Sequence, residues 1–335
     1  MNNSYILSVV IPSKNKLIYL SETIQSLIKE PSFDQIELCI SDNSGSNETK
    51  IYCKELANSF VNVKYMTADT SSNLDENINN AVLMANGKYV WLMGDDDICE
   101  INALEKIINK LNDISPAFMI VNSSSFEESN IIEVSRALNI DKFYSIDDND
   151  QFLVELGSYV TFLSAIVVKK NLWVKFFDSN KIGSYFAHLN NILSIKIYNE
   201  CFYLSNVCVK MRVHSQTWTA KHFEIWKIKF PEIIWGSHKY SDEAKKKVIS
   251  KNLLNTFGVT LSSRAYDRYN FDIFKKVILK NRSVFIFFKF FHFFVAIFPK
   301  KLLTYFYILL IKSGLKKSKN NFSSNLALSF LKKKN

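Results

Sequence analysis

Short apolar runs alternate with amphipathic stretches over roughly the first third of this chain of 335 residues. Residues 6–11 (ILSVVI) are almost continuously apolar, as in a strand covered on both faces, and a polar loop from Pro12 to Lys16 follows. Leu20, Ile24, Leu27 and Ile28 recur at helical spacing, with Ser21 as the expected N-cap. Residues 36–40 form the second predicted strand and end in a turn-rich loop that contains Asp42. A helix over 47–57, a strand over 61–65 and a helix over 74–85 follow, the last closed by Asn86-Gly87 as a C-cap. Residues 89–93 predict a fourth strand, 101–111 a helix and 117–122 a further strand. This alternation predicts an α/β domain with a mainly parallel sheet. Ligands of such sheets bind beyond the carboxyl ends of the strands. The loops at 13–15, 42–44 and 95–97 therefore share one edge.

Residues 130–215 are less regular, with strands expected at 166–168 and 207–211 and helices at 171–177 and 185–197. Beyond 220 the pattern is mostly helical, so the chain reads as a domain over 1–220 and a helical region over 221–335. Two apolar runs mark that region: 283–298 (SVFIFFKFFHFFVAIF) and 302–311 (LLTYFYILLI), broken by Lys289, His292, Pro299, Lys300 and Lys301. Neither reaches the ~20 residues of a membrane span.

Charge sharpens the division. Residues 1–150 hold 11 basic and 23 acidic residues, whereas 151–335 hold 31 basic and 9 acidic ones. A basic half suits nucleic acid or an anionic membrane. These lysines sit among aromatic runs, which selects the membrane surface and excludes nucleic acid; each basic residue near such a surface contributes about 1 kcal/mol. The competing readings of the C-terminal helices are a buried hairpin in the core or at an oligomer interface and a hairpin inserted into the membrane. The five cysteines include no CxxC pair and give no disulfide framework, so reduced thiols are expected. The N-terminus has no basic n-region and is not expected to be a signal peptide. The expected location is cytoplasmic, peripheral on the inner face of the cell membrane.

Candidate chemistry concentrates at Asp95-Asp96-Asp97, which closes the fourth strand. Three neighbouring carboxylates repel one another and are costly to desolvate unless a cation neutralises them. Mg²⁺ or Mn²⁺, shared between carboxylates and a phosphorylated ligand, meets that need.

Four segments in this order resemble family 2 glycosyltransferases with the GT-A fold: LSVVIPSKNK at 7–16, IELCISDNSGS at 36–46, NGKYVWLMGDDDI at 86–98 and MRVHSQT at 211–217. The GDDD form after a Trp-containing strand resembles the abequosyltransferase-like branch of bacterial surface-polysaccharide enzymes. The resemblance covers residues 4–220. It implies a Rossmann-like nucleotide-diphospho-sugar transferase fold, to which the basic, aromatic runs beyond 220 add an expected C-terminal membrane-associating extension. Pro12, Ser13 and Asn15 would surround the base and ribose of the donor, and Asp42 would accept from the base. Asp95 and Asp96 would lie at the diphosphate end of the donor site. Asp95, Asp96 and Asp97 would supply the metal ligands in one of two registers, because Gly94 stands where the family usually has its first acid. Arg212 and His214 would face the diphosphate, and His214 could add a metal contact. The acid pair that often begins an acceptor-side helix is missing from 183–190 (GSYFAHLN), which leaves His188 as the nearest candidate base.

Plainer readings stand beside these. Pro12 also suits a strand terminator, Asp42 an Asx turn, Lys14 and Lys88 solvated surface, and His188 a packing residue. The expected activity is transfer of a sugar from a nucleotide-sugar donor to a lipid-linked saccharide acceptor in O-antigen, capsule or similar polysaccharide synthesis. The alternatives are a sugar nucleotidyltransferase, disfavoured because 13–16 contains no glycine, and a non-catalytic membrane-bound nucleotide- or sugar-binding protein.

Overall fold

A computed structural model describes residues 5–127, 130–133, 137–213 and 221–305. The strands are β1 (Leu7–Ser13), β2 (Ile36–Asp42), β3 (Val63–Thr67), β4 (Tyr89–Leu92), β5 (Ile98–Cys99), β6 (Phe118–Glu127), β7 (Asn130–Glu133), β8 (Lys142–Tyr144), β9 (Ile166–Lys169) and β10 (Cys201–Arg212). The helices are α1 (Leu17–Ile28), α2 (Asn47–Ser59), α3 (Leu74–Met84), α4 (Ala103–Ile114), α5 (Asn149–Leu156), α6 (Lys170–Phe176), α7 (Ala187–Lys196), α8 (His222–Glu224), α9 (Phe230–Gly236), α10 (Asp242–Val248), α11 (Phe257–Ala265), α12 (Phe271–Ile273) and α13 (Ile286–Ile297). The chain divides into two compact units, Met1–Gln216 with Glu232–Val248, and Thr217–Pro231 with Ile249–Asn335.

The first unit is built on one sheet of order β3-β2-β1-β4-β9-β6-β10-β5, with β7 against β6 and β8 against β10. The β3-β2-β1-β4 half is parallel throughout, and β10 is parallel to β6. β9 is antiparallel to both β4 and β6 and joins the two halves. β1 and β2 are buried along their whole length, as their apolar runs predict. Two of their buried polar residues, Ser8 and Glu37, satisfy each other: the Glu37 carboxylate accepts from Ser8 Oγ and from Asn86 N–H, both at 2.6 Å, and pairs with Lys64 at 2.5 Å. Burial would raise the Glu37 pKa, but the Asn86 N–H and Lys64 hold it below the ordinary range.

Four local expectations are corrected. α1 begins at Leu17, so Ser21 lies inside it and donates to the Ile18 carbonyl at 2.7 Å rather than capping. α3 is capped at Ala85, and Gly87 is not in the left-handed region. Glycine is needed at 87 for a different reason: a Cβ there would lie 2.6 Å from Ser8 Oγ and 2.7 Å from the Ser8 nitrogen. The strand expected from 61 starts at Val63, and Val61 is fully exposed. The strand expected at 207–211 is the end of the longer β10.

The second unit packs around Phe223, Leu254, Tyr269, Ile278, Val295 and Ala296. Its polar centre is His292, fully buried, with Nδ1 2.6 Å from Thr260 Oγ1 and Nε2 2.8 Å from the Leu254 carbonyl. No helix among the described residues is long and apolar enough to cross a membrane. Residues 306–311 of the second apolar run lie outside the described residues.

Candidate active site

β1, β2 and β4 run parallel, so the residues that follow them meet at one edge. Ser13 is in register with Asp42 across β1 and β2. The first turn of α3 ties these two strand ends together. Asn77 donates to the Ser13 carbonyl and to Asn43 Oδ1, each at 3.2 Å, and accepts from Ser41 Oγ at 2.7 Å. Asp42 is buried, with Oδ1 taking the Ser44 N–H at 2.9 Å and Oδ2 the Tyr65 hydroxyl at 3.2 Å. The Asx turn and a ligand-facing role are thus compatible, since a carboxylate accepts about four hydrogen bonds. Pro12 is buried, whereas Asn15 is exposed and holds a left-handed φ of 57° that Asn tolerates. Lys14 is exposed but tethered to the Thr70 carbonyl at 2.9 Å, and Lys88 is exposed.

The three aspartates have three different environments. Asp95 turns to the β1 loop and accepts from Ser13 Oγ at 3.1 Å and from Lys14 N–H at 3.2 Å. Asp96 meets Lys16, whose Nζ lies 2.6 Å from Asp96 Oδ2 and 3.2 Å from Asp95 Oδ1. Asp97 turns inward, accepting from Ser164 Oγ at 2.5 Å and from Arg212 N–H at 3.2 Å. Burial raises the Asp95 pKa, Lys16 opposes that rise, and Asp96 adds to it. Asp97 is pushed up to about 7, first by burial and then by the Asp96 charge. Lys16 is held above the usual lysine range: burial lowers its pKa, but Asp95 and Asp96 more than compensate.

Gly94 belongs to this packing. A Cβ at 94 would stand 2.9 Å from Asp97 Oδ2 and 3.3 Å from Asp96 Oδ1, so Asp97 has turned into the space a side chain would need. Gly94→Ala is expected to destabilise the protein by about 1–3 kcal/mol through overpacking. Urea unfolding measures this, and an unchanged midpoint would show that the carboxylates move aside freely.

Arg212 closes the cluster. Its Nε donates to the Asp96 carbonyl at 3.0 Å, its guanidinium pairs with Glu22, and it lies 4.8 and 4.7 Å from the Tyr19 and Phe126 ring centroids. His214 lies outside the described residues. Among the described residues, no three His, Cys, Asp or Glu side chains converge as a ready metal-ligand group.

His188 is placed differently. It is buried, with Nε2 3.2 Å from the Thr161 carbonyl and Nδ1 without a partner among the described residues. Burial drives its pKa down to about 4, so it is neutral at pH 7 and a weak proton acceptor. The unfolded chain takes up this proton near pH 6.5 and the folded one only near 4. The stability this group contributes is therefore present above pH 6.5 and lost as pH falls towards 4, by up to about 3 kcal/mol. His188→Gln is expected to flatten the wild-type decline between those pH values in urea titrations. Equal slopes for the two proteins would contradict the burial of a neutral ring.

Four residues around the site were not anticipated: Lys16, Asn77, Ser164 and Asp75. Asp75 is a buried carboxylate that accepts from Gly183 and Tyr185 N–H at 2.9 Å and from Ala187 N–H at 3.2 Å, so it anchors the start of α7. A signal existed for Asp75 and Asn77, two polar side chains within one turn of Ile78, which is buried in α3. Nothing local distinguishes Lys16 or Ser164.

Residues 8–164 match the model of glycosyl transferase family 2. Over these residues, a little under half of the chain, the protein is similar to that family. The chain is similar to the abequosyltransferase RfbV of Salmonella typhimurium, at 26% identity over 57% of this chain and 61% of that protein. It is also similar to the GalNAc(5)-diNAcBac-PP-undecaprenol beta-1,3-glucosyltransferase of Campylobacter jejuni, at 25% identity over 63% of this chain and 65% of that protein. The matched part of the chain thus spans less than two thirds of either relative. Among solved structures, S. aureus TarS 1-349 in complex with UDP superposes with a TM-score of 0.54 at 14% identity, covering 90% of this chain and 91% of that one. The matched domain thus has the GT-A-type architecture, a mixed α/β fold with a mainly parallel sheet, as the motif order implied.

Proposed function

We propose that the chain is a glycosyltransferase that moves a sugar from a nucleoside diphosphate sugar to a lipid-linked saccharide during bacterial surface-polysaccharide synthesis. The observation that carries this reading is the bond of the β1 loop to the aspartate cluster through Ser13 and Lys14, next to buried Asp42. That edge offers an acceptor for a base N–H at Asp42, the backbone and side-chain hydroxyl of Ser13, the backbone and side-chain amide of Asn15, and carboxylates at the far end. A pyrimidine nucleotide suits Asp42, in keeping with the UDP complex of TarS. The lipid-linked acceptor is supported by the undecaprenol-linked substrate named for the Campylobacter relative. Such an acceptor would hold the enzyme at the inner membrane surface.

The residues present fit a divalent cation. Asp95 and Asp96 offer hard oxygen donors, and the Lys16 ammonium between them shows that this point attracts positive charge. Asp97 is committed to Ser164 and the Arg212 backbone and would orient its neighbours. Mg²⁺ or Mn²⁺ held there would neutralise charge on the departing diphosphate. Arg212, fixed between two rings with its Nε on the Asp96 carbonyl, would add positive charge to that end.

The test is release of nucleoside diphosphate from a panel of nucleotide sugars, with membrane lipid extract as acceptor. Transfer of label to lipid is the expected result. Pyrophosphate release instead would mark a nucleotidyltransferase, and no release with any donor would leave only a binding protein.

A further inference from the structure

The sequence presents 283–298 as an aromatic run broken by Lys289 and His292, but the fold removes both interruptions from one face of the helix. His292 turns into the core of the second unit, where both ring nitrogens are engaged by Thr260 and Leu254. Lys289 bends back so that Nζ donates to the Leu279 carbonyl at 3.0 Å. Val295 and Ala296 are buried on the same inner side. The opposite side carries Ile286, Phe287, Phe290, Phe294 and Ile297, each more than half exposed. At helical spacing these five fall within an arc of about 100°. Leu279, Phe298, Leu302 and Tyr305 extend the exposed apolar surface beyond the two helix ends.

Large side chains are seldom left in water as one contiguous patch unless something covers them. The charge around the patch selects the cover. Residues 275–301 contain seven basic residues and no acidic one, and Lys280, Arg282 and Lys301 are exposed beside the helix ends. A second copy of this chain would bring like charges together at the ends of the helix. A bilayer with anionic headgroups would meet the lysines with phosphates and the aromatic rings with the headgroup–acyl boundary. α13, at 12 residues, is about 18 Å long and too short to span, so it suits a position flat in that boundary.

We propose that the Ile286–Phe287–Phe290–Phe294–Ile297 face of α13, with Lys280, Arg282 and Lys301 at its ends, is the surface by which the protein docks on anionic lipid. This deepens the reading of a lipid-linked acceptor, since docking would hold the enzyme where such an acceptor lies. Vesicle binding needs neither donor nor acceptor, so docking and transferase activity can fail separately.

The experiment is co-sedimentation of the full chain with vesicles of phosphatidylcholine alone or mixed with phosphatidylglycerol. The wild type is expected to partition onto the mixed vesicles. The triple variant Phe287→Ser, Phe290→Ser, Phe294→Ser is expected to lose that partitioning about tenfold or more while keeping its circular dichroism spectrum. Lys280→Gln with Arg282→Gln and Lys301→Gln is expected to lose the preference for phosphatidylglycerol. Should the triple variant misfold, Phe290→Trp supplies the same test: its added fluorescence should shift to the blue and be quenched by brominated lipid. Unchanged binding of a folded triple variant, or no shift for Phe290→Trp, overturns the proposal. So does a triple variant that converts a dimer to a monomer in ultracentrifugation while still binding vesicles.

Discussion

Replacing Asp96 with Asn is expected to lower turnover about 10²- to 10³-fold, a loss of about 3–4 kcal/mol of transition-state stabilisation, with the fold intact. Asp96 is the most accessible of the three aspartates, and its only described carboxylate partner is Lys16. In the proposed reaction it would exchange that partner for an incoming cation, which in turn would meet the diphosphate. Asn keeps the volume and removes the charge. Asp95→Asn is expected to cost as much and also to weaken donor binding, because Asp95 fixes the β1 loop through Ser13 and Lys14. Asp97→Asn is expected to affect stability more than donor binding. Nucleoside diphosphate release at saturating donor, with circular dichroism as the control for folding, measures the effects. Wild-type turnover in both Asp95→Asn and Asp96→Asn would remove the carboxylates from the mechanism.

Lys16→Met is expected to make stability depend on divalent metal. The ammonium is mostly buried, and its charge offsets two neighbouring carboxylates. Removing it leaves their repulsion uncompensated, which in a largely desolvated site costs on the order of 2–4 kcal/mol. In chelator, the variant should therefore unfold at lower urea than the wild type. Adding Mn²⁺ or Mg²⁺ should restore most of the loss and raise the stability of the variant more than that of the wild type. Transfer should remain impaired, because the lysine would no longer be available to a diphosphate held beside it. Equal metal responses in the two proteins would show that Lys16 does not occupy the cation's place.

The differing environments of the three aspartates show how far the linear chain could be read. The run at 89–93 and the acids after it announced a buried strand opening into a charged loop, because apolar periodicity and turn chemistry are local. The same locality made β1, β2 and the first helices legible, and it placed the loops at 13–15, 42–44 and 95–97 on one edge. The motif order at those loops was enough to suggest the family. Which partner each aspartate takes was not legible, since Ser164 approaches from 67 residues away and Arg212 from 115. Asp75 likewise finds its three donors more than a hundred residues downstream.

The sequence alone thus determined the strand–helix alternation, the charge division and the candidate loops, because each depends on neighbouring residues. Only the tertiary structure decided that Lys16 sits between Asp95 and Asp96, that Gly94 yields its space to Asp97, and that His188 is a buried neutral ring. It also turned His292 inward and left an unbroken aromatic face on α13. Those outcomes depend on packing between distant segments, where the cost of burying a polar group without a partner selects one arrangement.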